Sequence, residues 1–371
     1  PQALLPVLAL CDGTREDARE LRVSFELRFG VNIKQSTIEE LLAALNETTL
    51  LANDRYAEVC GQALREYRES AYRSSALAGT SYPADPDELR AMLDSFRSIP
   101  GEPVKTAGSS EQLALVSPHI DYARGGKVYA EVWMTSAEMV RGADLVVVFG
   151  TDHYGGVGEL TLTCQNYATP LGVLPTATGI VEELAEAIGT EAAFAGELRH
   201  RGEHSIELAT VWLQHARQGS ECEIVPILCG SFASFIRGDK DERSDATIHA
   251  VVEVLRMRAS GRRVLYVAAA DLAHVGPAFG GDPVDSAGRD RLKESDDELI
   301  ERICAGDPGG FMNAIKRVQD CNNVCGVSPI YMMLRMIAGS RGAQAGYDRC
   351  PADEDGTSLV SICGVVFDGS A

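Results

Sequence analysis

The sequence predicts an α/β fold, a central mixed sheet flanked by helices, with a small helical domain in front of it. Apolar, β-branched runs such as QLALVS, ADLVVVFGT, EIVPILCG and RRVLYVAAADL alternate with helical patterns through the last three quarters of the chain. These runs are almost continuously apolar, as strands are when helices cover both faces of their sheet. The opening is different: it reads as helices joined by short links, and a turn cluster, GTSYPADP, marks the change. With 371 residues, 45% of them hydrophobic and 24% charged, the chain can form two globular domains, expected at 1–75 and 76–371.

The elements follow in order. Thr14 and Asp17 precede Ala18, Leu21, Phe25 and Phe29 at helical spacing, and Gly30 closes that helix. Ser36 and Glu39 read as a capping box ahead of Ile38, Leu41, Leu42 and Leu45. TLLANDRY is expected as a strand or wing before a polar helix from Tyr56 to Tyr72. This unit resembles winged-helix folds, and among them PqqD-like peptide-recognition domains. Its charge over residues 1–75 is 9 − 12 = −3, which disfavours a DNA-reading role. A helix beginning near Pro86 comes next, and the Gly/Pro/Ser-rich segment 98–110 leads into the first strand, QLALVSPH. Helices are expected near 126–139, 178–188, 205–217 and 245–258, and several after 286. ELTLTCQNY reads as a hairpin, and SLVSICGVVF as the last strand.

Charge narrows the partners. Thirty-four basic against 54 acidic residues give −20, so nucleic acid and anionic membrane surfaces are disfavoured. The most apolar stretch, Val264 to Gly281, contains Asp271 and His274, so no segment is expected to span a bilayer. No secretory signal pattern opens the sequence, and the expected location is cytoplasmic. The 10 cysteines are scattered without a repeated CxxC, which argues against a zinc ribbon or a disulfide framework.

Three of the seven histidines share one kind of position. His119 follows LALVSP, His153 follows LVVVFGTD, and His274 lies just past VLYVAAAD, each where a buried strand releases the chain. Ligands of open α/β sheets bind at such carboxyl ends, and imidazole is the commonest metal ligand. Asp121, Asp152 and Asp271 accompany them, offering oxygen ligands or partners that orient a histidine. Glu203, His204 and Glu207 open a helix, where acids equally well satisfy the helix dipole. Cys325 stands at the entry of an apolar helix, a position that favours thiolate; a buried helix-entry thiol is the alternative, and Cys321 competes for any role.

The ordered set AGTSYPADPDELRAML, SPHIDY, VVVFGTDH, EHSIEL, VPILCGSF, AAADLAH and CGVSPI resembles the Memo family, whose bacterial members are often labelled AmmeMemoRadiSam system protein B. The resemblance covers roughly residues 76–369. It implies the fold of class III extradiol dioxygenases and a metal held by His119, His153 and Cys325, the cysteine standing where the dioxygenases have a carboxylate. It implies His274, with Asp271, as the acid/base histidine beside the metal and His204 at the pocket wall. PHIDY in place of the usual PHAGY, and GTDHY in place of GPSHH, bring Asp121 and Asp152 to the rim, which could make the site oxygen-rich. Val327 and Ser328 stand where a basic residue is frequent, which disfavours anion binding.

The expected function is a metal-binding, dioxygenase-like redox protein carrying one transition-metal ion, iron or copper ahead of zinc, and acting on a small-molecule or peptide ligand. By the same resemblance, radical SAM and AMMECR-type proteins are implied as partners. A non-catalytic peptide- or protein-binding module on the same fold is the alternative, and a Cys325/His hydrolase ranks last because no oxyanion motif accompanies it.

Overall fold

The computed structural model describes residues 5–15, 17–97 and 112–368. The Gly/Pro/Ser-rich segment 98–110, expected to lead into the first strand, lies outside the described residues. The chain divides into two compact units, Pro1–Glu69 and Ser70–Ala371.

The first unit is helical: α1 (Leu5–Leu8), α2 (Ala18–Phe29), α3 (Gln35–Glu47) and α4 (Asp54–Glu69). Val7, Leu10, Leu21, Phe25 and Ile38 form its core. Three local expectations change here. The cap of α2 is Asp17, whose carboxylate accepts the Arg19 and Glu20 amides at 2.8 Å, while Thr14 bonds Asp12 instead. α3 begins after Lys34 with no side-chain cap, so Ser36 lies inside the helix and forms no capping box. The segment expected as a wing is a turn: Thr49 adopts φ 56°, and α4 starts at Asp54. Two helices close together leave that segment no strand to pair with.

The second unit opens with α5 (Pro86–Ser95), capped by Asp85, and continues β1 (Gln112–Ser117), α6 (Tyr122–Thr135), α7 (Ala137–Gly142) and β2 (Leu145–Thr151). Then come β3 (Leu160–Leu162), β4 (Tyr167–Thr169), β5 (Gly172–Leu174), α8 (Thr178–Ile188), α9 (Thr190–Phe194), a 3₁₀ turn at Glu197–Arg201 and α10 (Ser205–Arg217). β6 (Glu223–Cys229), α11 (Ala233–Ile236), α12 (Ala246–Ala259), β7 (Val264–Ala269) and β8 (His274–Val275) follow, with a short 3₁₀ turn at Pro277–Phe279. The chain closes with α13 (Ser286–Cys304), α14 (Pro308–Arg317), α15 (Val327–Met336), β9 (Ala343–Pro351) and β10 (Leu359–Phe367).

The result is the expected α/β architecture, an eight-stranded mixed sheet in the order β3-β6-β2-β7-β1-β10-β8, with β9 paired to β10. β6, β2, β7 and β1 run parallel, and β3 and β10 join antiparallel. Alternation explains the two layers. Leu145, Val147, Phe149 and Tyr266 face a core shared with α8, α12 and α15, whereas Val146, Val148, Leu265 and Val267 face one shared with α5, α6 and α10. Gly150 lets α10 close on the end of β2, since a Cβ there would stand 2.5 Å from Ile206 Cγ1 and 2.6 Å from Ser205 Oγ.

ELTLTCQNY is not a hairpin. β3 pairs with β6, and the hairpin is β4 with β5, one segment later. Its hydroxyls satisfy buried partners rather than water: Thr161 Oγ1 takes a hydrogen bond from Arg199, and Thr163 Oγ1 donates to Glu197. Strand β9 was not legible, because its polar, small sequence AQAGYDRCP is that of an edge strand. Among the described residues no helix is long and apolar enough to cross a membrane.

Candidate metal centre

The parallel strands deliver the site. β7 lies between β1 and β2, so the segments leaving their three carboxyl ends are neighbours. Asp271, two residues past β7, accepts the backbone N–H of His119 at 2.8 Å, and Ala269 O lies 3.0 Å from His119 Nδ1. A carbonyl only accepts, so Nδ1 carries the proton and Nε2 is left as the basic nitrogen. That Nε2 lies 3.3 Å from Cys325 Sγ. Burial, with His153 and His204 nearby, holds His119 well below the ordinary histidine range, in the neutral form that ligates metals.

His153 is oriented by Glu203. Its Nδ1 stands 3.1 Å from both carboxylate oxygens, and its backbone N–H donates to the same group at 3.0 Å. Glu203 also accepts the amides of His204 and Ser205 at 2.8 and 3.1 Å and lies 3.1 Å from His204 Nδ1. Burial pushes this carboxyl up, but the bonds to His153 and His204 outweigh it and hold Glu203 well below the usual carboxylate range. Burial likewise pulls His153 down, and Glu203 more than offsets that, leaving it above its ordinary value. A carboxylate behind the far nitrogen of a ligating histidine fixes both its tautomer and its aim. The rings of His153 and His204 stack at 4.7 Å, and His119 meets them edge-on at 5.1 and 5.5 Å.

Cys325 precedes α15 and completes the group. His119, His153 and Cys325 each offer one ligand atom, all within 4.8 Å of one another, and can hold a metal ion. The thiolate expected from the helix entry is not the state of the metal-free chain, because burial, with Asp271 nearby, pushes this thiol well above its ordinary value. A bound cation displaces such a proton. Cys321 is exposed and outside the group.

A cleft of about 430 Å³ opens over His119 and His153, and His204, His274, Asp271 and Phe279 share its wall. His274 Nδ1 faces Leu272 O at 3.2 Å, and burial lowers its pKa despite Asp271. The two extra rim carboxylates do not make the site oxygen-rich. Asp121 caps α6 and pairs with Arg124, while Asp152 is buried and held by Arg199 Nε at 2.8 Å. Glu207 is structural: fully buried, it binds Arg73, the amides of Ala76 and Leu77, and the Tyr82 hydroxyl. Sequence reasoning missed the orienting role of Glu203 and the wall supplied by Leu77 and Ser81. Only the adjacency of Glu203 to His204 signalled the first, and nothing in the sequence signalled the second.

The geometry agrees with what the sequence is similar to. Residues 73–364 match the family model described as Memo-like protein. A MEMO1 family protein of Aquifex aeolicus is 29% identical over 373 residues, covering 98% of this chain and 91% of its own length. One from Methanopyrus kandleri is 30% identical over 80% of this chain and 98% of its own length, and one from Methanosarcina mazei 30% identical over 74% and 91%. With the family model matched over most of this chain, and with His119, His153 and Cys325 of the ordered motifs gathered in one group, the chain belongs to the Memo-like protein family.

Proposed function

We propose that the protein binds one transition-metal ion through His119, His153 and Cys325 and uses it in dioxygenase-like redox chemistry on a small-molecule or peptide ligand held in the cleft. One observation carries the reading: three donor atoms converge within 4.8 Å, and the far nitrogens of both imidazoles are already engaged by Ala269 O and Glu203. The donor set fits. Two imidazoles, that of His119 already neutral, and a thiol that loses its proton on binding suit Fe(II), copper or zinc, and a redox role favours iron or copper, since zinc does not change oxidation state.

When bound, the ion supplies Lewis acidity and electron transfer. The chain does the rest. His274 keeps its Nδ1 on Leu272 O, leaving Nε2 to take up or return a proton at the ligand. Asp271 anchors the His119 backbone and biases the charge of His274. His204, fixed by Glu203, lines the wall beside them.

The test is metal analysis of protein purified without chelator. About one ion per chain is expected, lost in His119→Ala and in His153→Ala. His274→Phe should keep the metal and the melting temperature while abolishing metal-dependent turnover. Unchanged metal content in both alanine variants would sink the site. A parent that binds metal but consumes no oxygen with any catechol-like substrate or reductant would instead favour the binding module.

A further inference from the structure

We propose that Asp320 is a positioning residue for this centre: its carboxylate locks the loop 319–326 in the conformation that sets the Cys325 thiol against His119 and Asp271. The inference rests on the metal-binding reading above. Gln319, Asp320 and Asn323 adopt φ of 51°, 50° and 50°, the left-handed region that side chains bearing a Cβ rarely enter. Backbone of this kind persists only where its surroundings over-determine it, and it gathers at functional sites. Here it stands immediately before a proposed ligand.

The surroundings can be named. Two backbone hydrogen bonds fasten the loop to the segment after β7: His274 N–H donates to Asn322 O at 2.9 Å, and Gly326 N–H to Asp271 O at 3.1 Å. Contact at the second bond is close enough to require glycine, since a Cβ on Gly326 would stand 2.4 Å from Asp271 O and 2.7 Å from Ala270 Cβ. Cys325 and His274 are therefore carried on one fastened unit. Outside it, the Gln319 side chain donates to Ile236 O at 3.1 Å, and that of Asn322 to Ser295 Oγ at 2.9 Å.

Asp320 closes the turn from within. Its Oδ1 accepts the N–H of Val324 at 2.8 Å, and its carbonyl accepts that of Asn323 at 2.9 Å. Val324 is buried and is the residue before Cys325, so the carboxylate fixes the backbone from which the thiol projects. Without this acceptor the Val324 N–H loses its partner and the left-handed turn loses its brace. The thiol then no longer keeps its place 3.3 Å from His119 Nε2.

Three substitutions separate the parts. Asn tolerates the left-handed conformation and keeps an acceptor oxygen, Gly tolerates it without an acceptor, and Ala offers neither. The full chain is titrated with Co(II), reading the thiolate-to-cobalt charge-transfer band, at a temperature where melting curves show each variant folded. The parent band should be lost in Cys325→Ser. Asp320→Asn should stay close to the parent. Asp320→Gly should bind cobalt about 10- to 100-fold more weakly, with a weaker band per bound ion, and Asp320→Ala at least as weakly. If Asp320→Ala does not fold, the Asn and Gly pair alone decides. Parent-like affinity and band in Asp320→Gly overturns the inference, as does an Asn variant that loses as much as the Gly variant. A parent band that survives in Cys325→Ser overturns the metal site itself, and this inference with it.

Discussion

One carboxylate serves two imidazoles in this cleft, and that sharing can be tested at a single atom. In Glu203→Gln the side chain keeps its shape but an N–H₂ group replaces one carboxylate oxygen, and in either orientation that group faces backbone N–H donors it cannot accept, that of His153 at Oε2 or those of His204 and Ser205 at Oε1. The side chain must turn away from one imidazole, or the His153 backbone must shift. Metal affinity should fall about 10- to 100-fold, as it does when the partner behind a ligating histidine is lost, and calorimetric titration measures it. Affinity equal to that of the parent would show that Glu203 only caps α10. The thiols give a second reading: exposed Cys321 should alkylate first, and half-buried Cys325, whose proton is held, slowly, slower still with metal present, by mass spectrometry of the digested protein. Protection of Cys321 by metal would reassign the ligand. These residues were not equally legible. His119 and His153 stand at strand ends, a position the apolar runs before them reveal, whereas an acid opening a helix has an ordinary explanation, so Glu203 could not be told from a dipole partner. Asp121 and Asp152 misled for different reasons: Asp121 is the local cap of α6, paired with Arg124 three residues on, whereas Arg199, the partner of Asp152, is brought there by tertiary packing that no local pattern encodes.

At the scale of elements, the loop between β2 and β3 carries His153, and one guanidinium closes it. Arg199 Nε donates to Asp152 at 2.8 Å, and its Nη2 to Glu159 and Thr161 at 2.7 and 2.8 Å, joining both ends of the loop to the 3₁₀ turn ahead of α10. The Asp152 side chain is fully buried, so Arg199→Met would leave a carboxylate without its counter-ion. A stability loss of about 3 kcal/mol is expected in urea denaturation, and the double variant with Asp152→Asn should recover part of it. A single-variant loss below about 1 kcal/mol, typical of an exposed pair, would mean the pair does not hold the loop. Elements whose pattern matched their burial were readable: β1, β2, β6 and β7 are apolar along their middles because helices cover both faces. β3 and β9 were not, since one is a three-residue strand that buries Thr161 against Arg199 and the other is an edge strand with few apolar residues. The cap of α2 was readable only to within a turn, because Thr14 and Asp17 both stand ahead of it and only geometry selects Asp17.

The whole molecule carries −20, a field that draws metal cations toward it and opposes polyanions, and it contains two buried groups that bend its stability with pH in opposite ways. His200 is fully buried between Tyr167 O–H at 2.6 Å and Thr161 O at 3.0 Å, and burial holds it down at about 3. Its unfolded value is near 6.5, so the unfolded chain takes up the proton first, and the stability His200 contributes is lost as pH falls below that value. Asp296 has the other sign. Burial pushes it up to about 6 from 3.8, with Tyr347 Oη donating to it at 2.8 Å. The unfolded chain releases this proton first, so stability is greatest below 3.8 and is lost as pH rises through 6. Asp296→Asn keeps an acceptor for Tyr347 and removes the charge that the interior resists. It should therefore stabilise the protein by up to about 3 kcal/mol at pH near 8, with the gain shrinking as pH falls toward 4. Urea denaturation at both ends of that range decides it. A gain of equal size at both would be a packing effect, and a loss at the alkaline end would mean that the ionised carboxylate is held by partners strong enough to outweigh its burial.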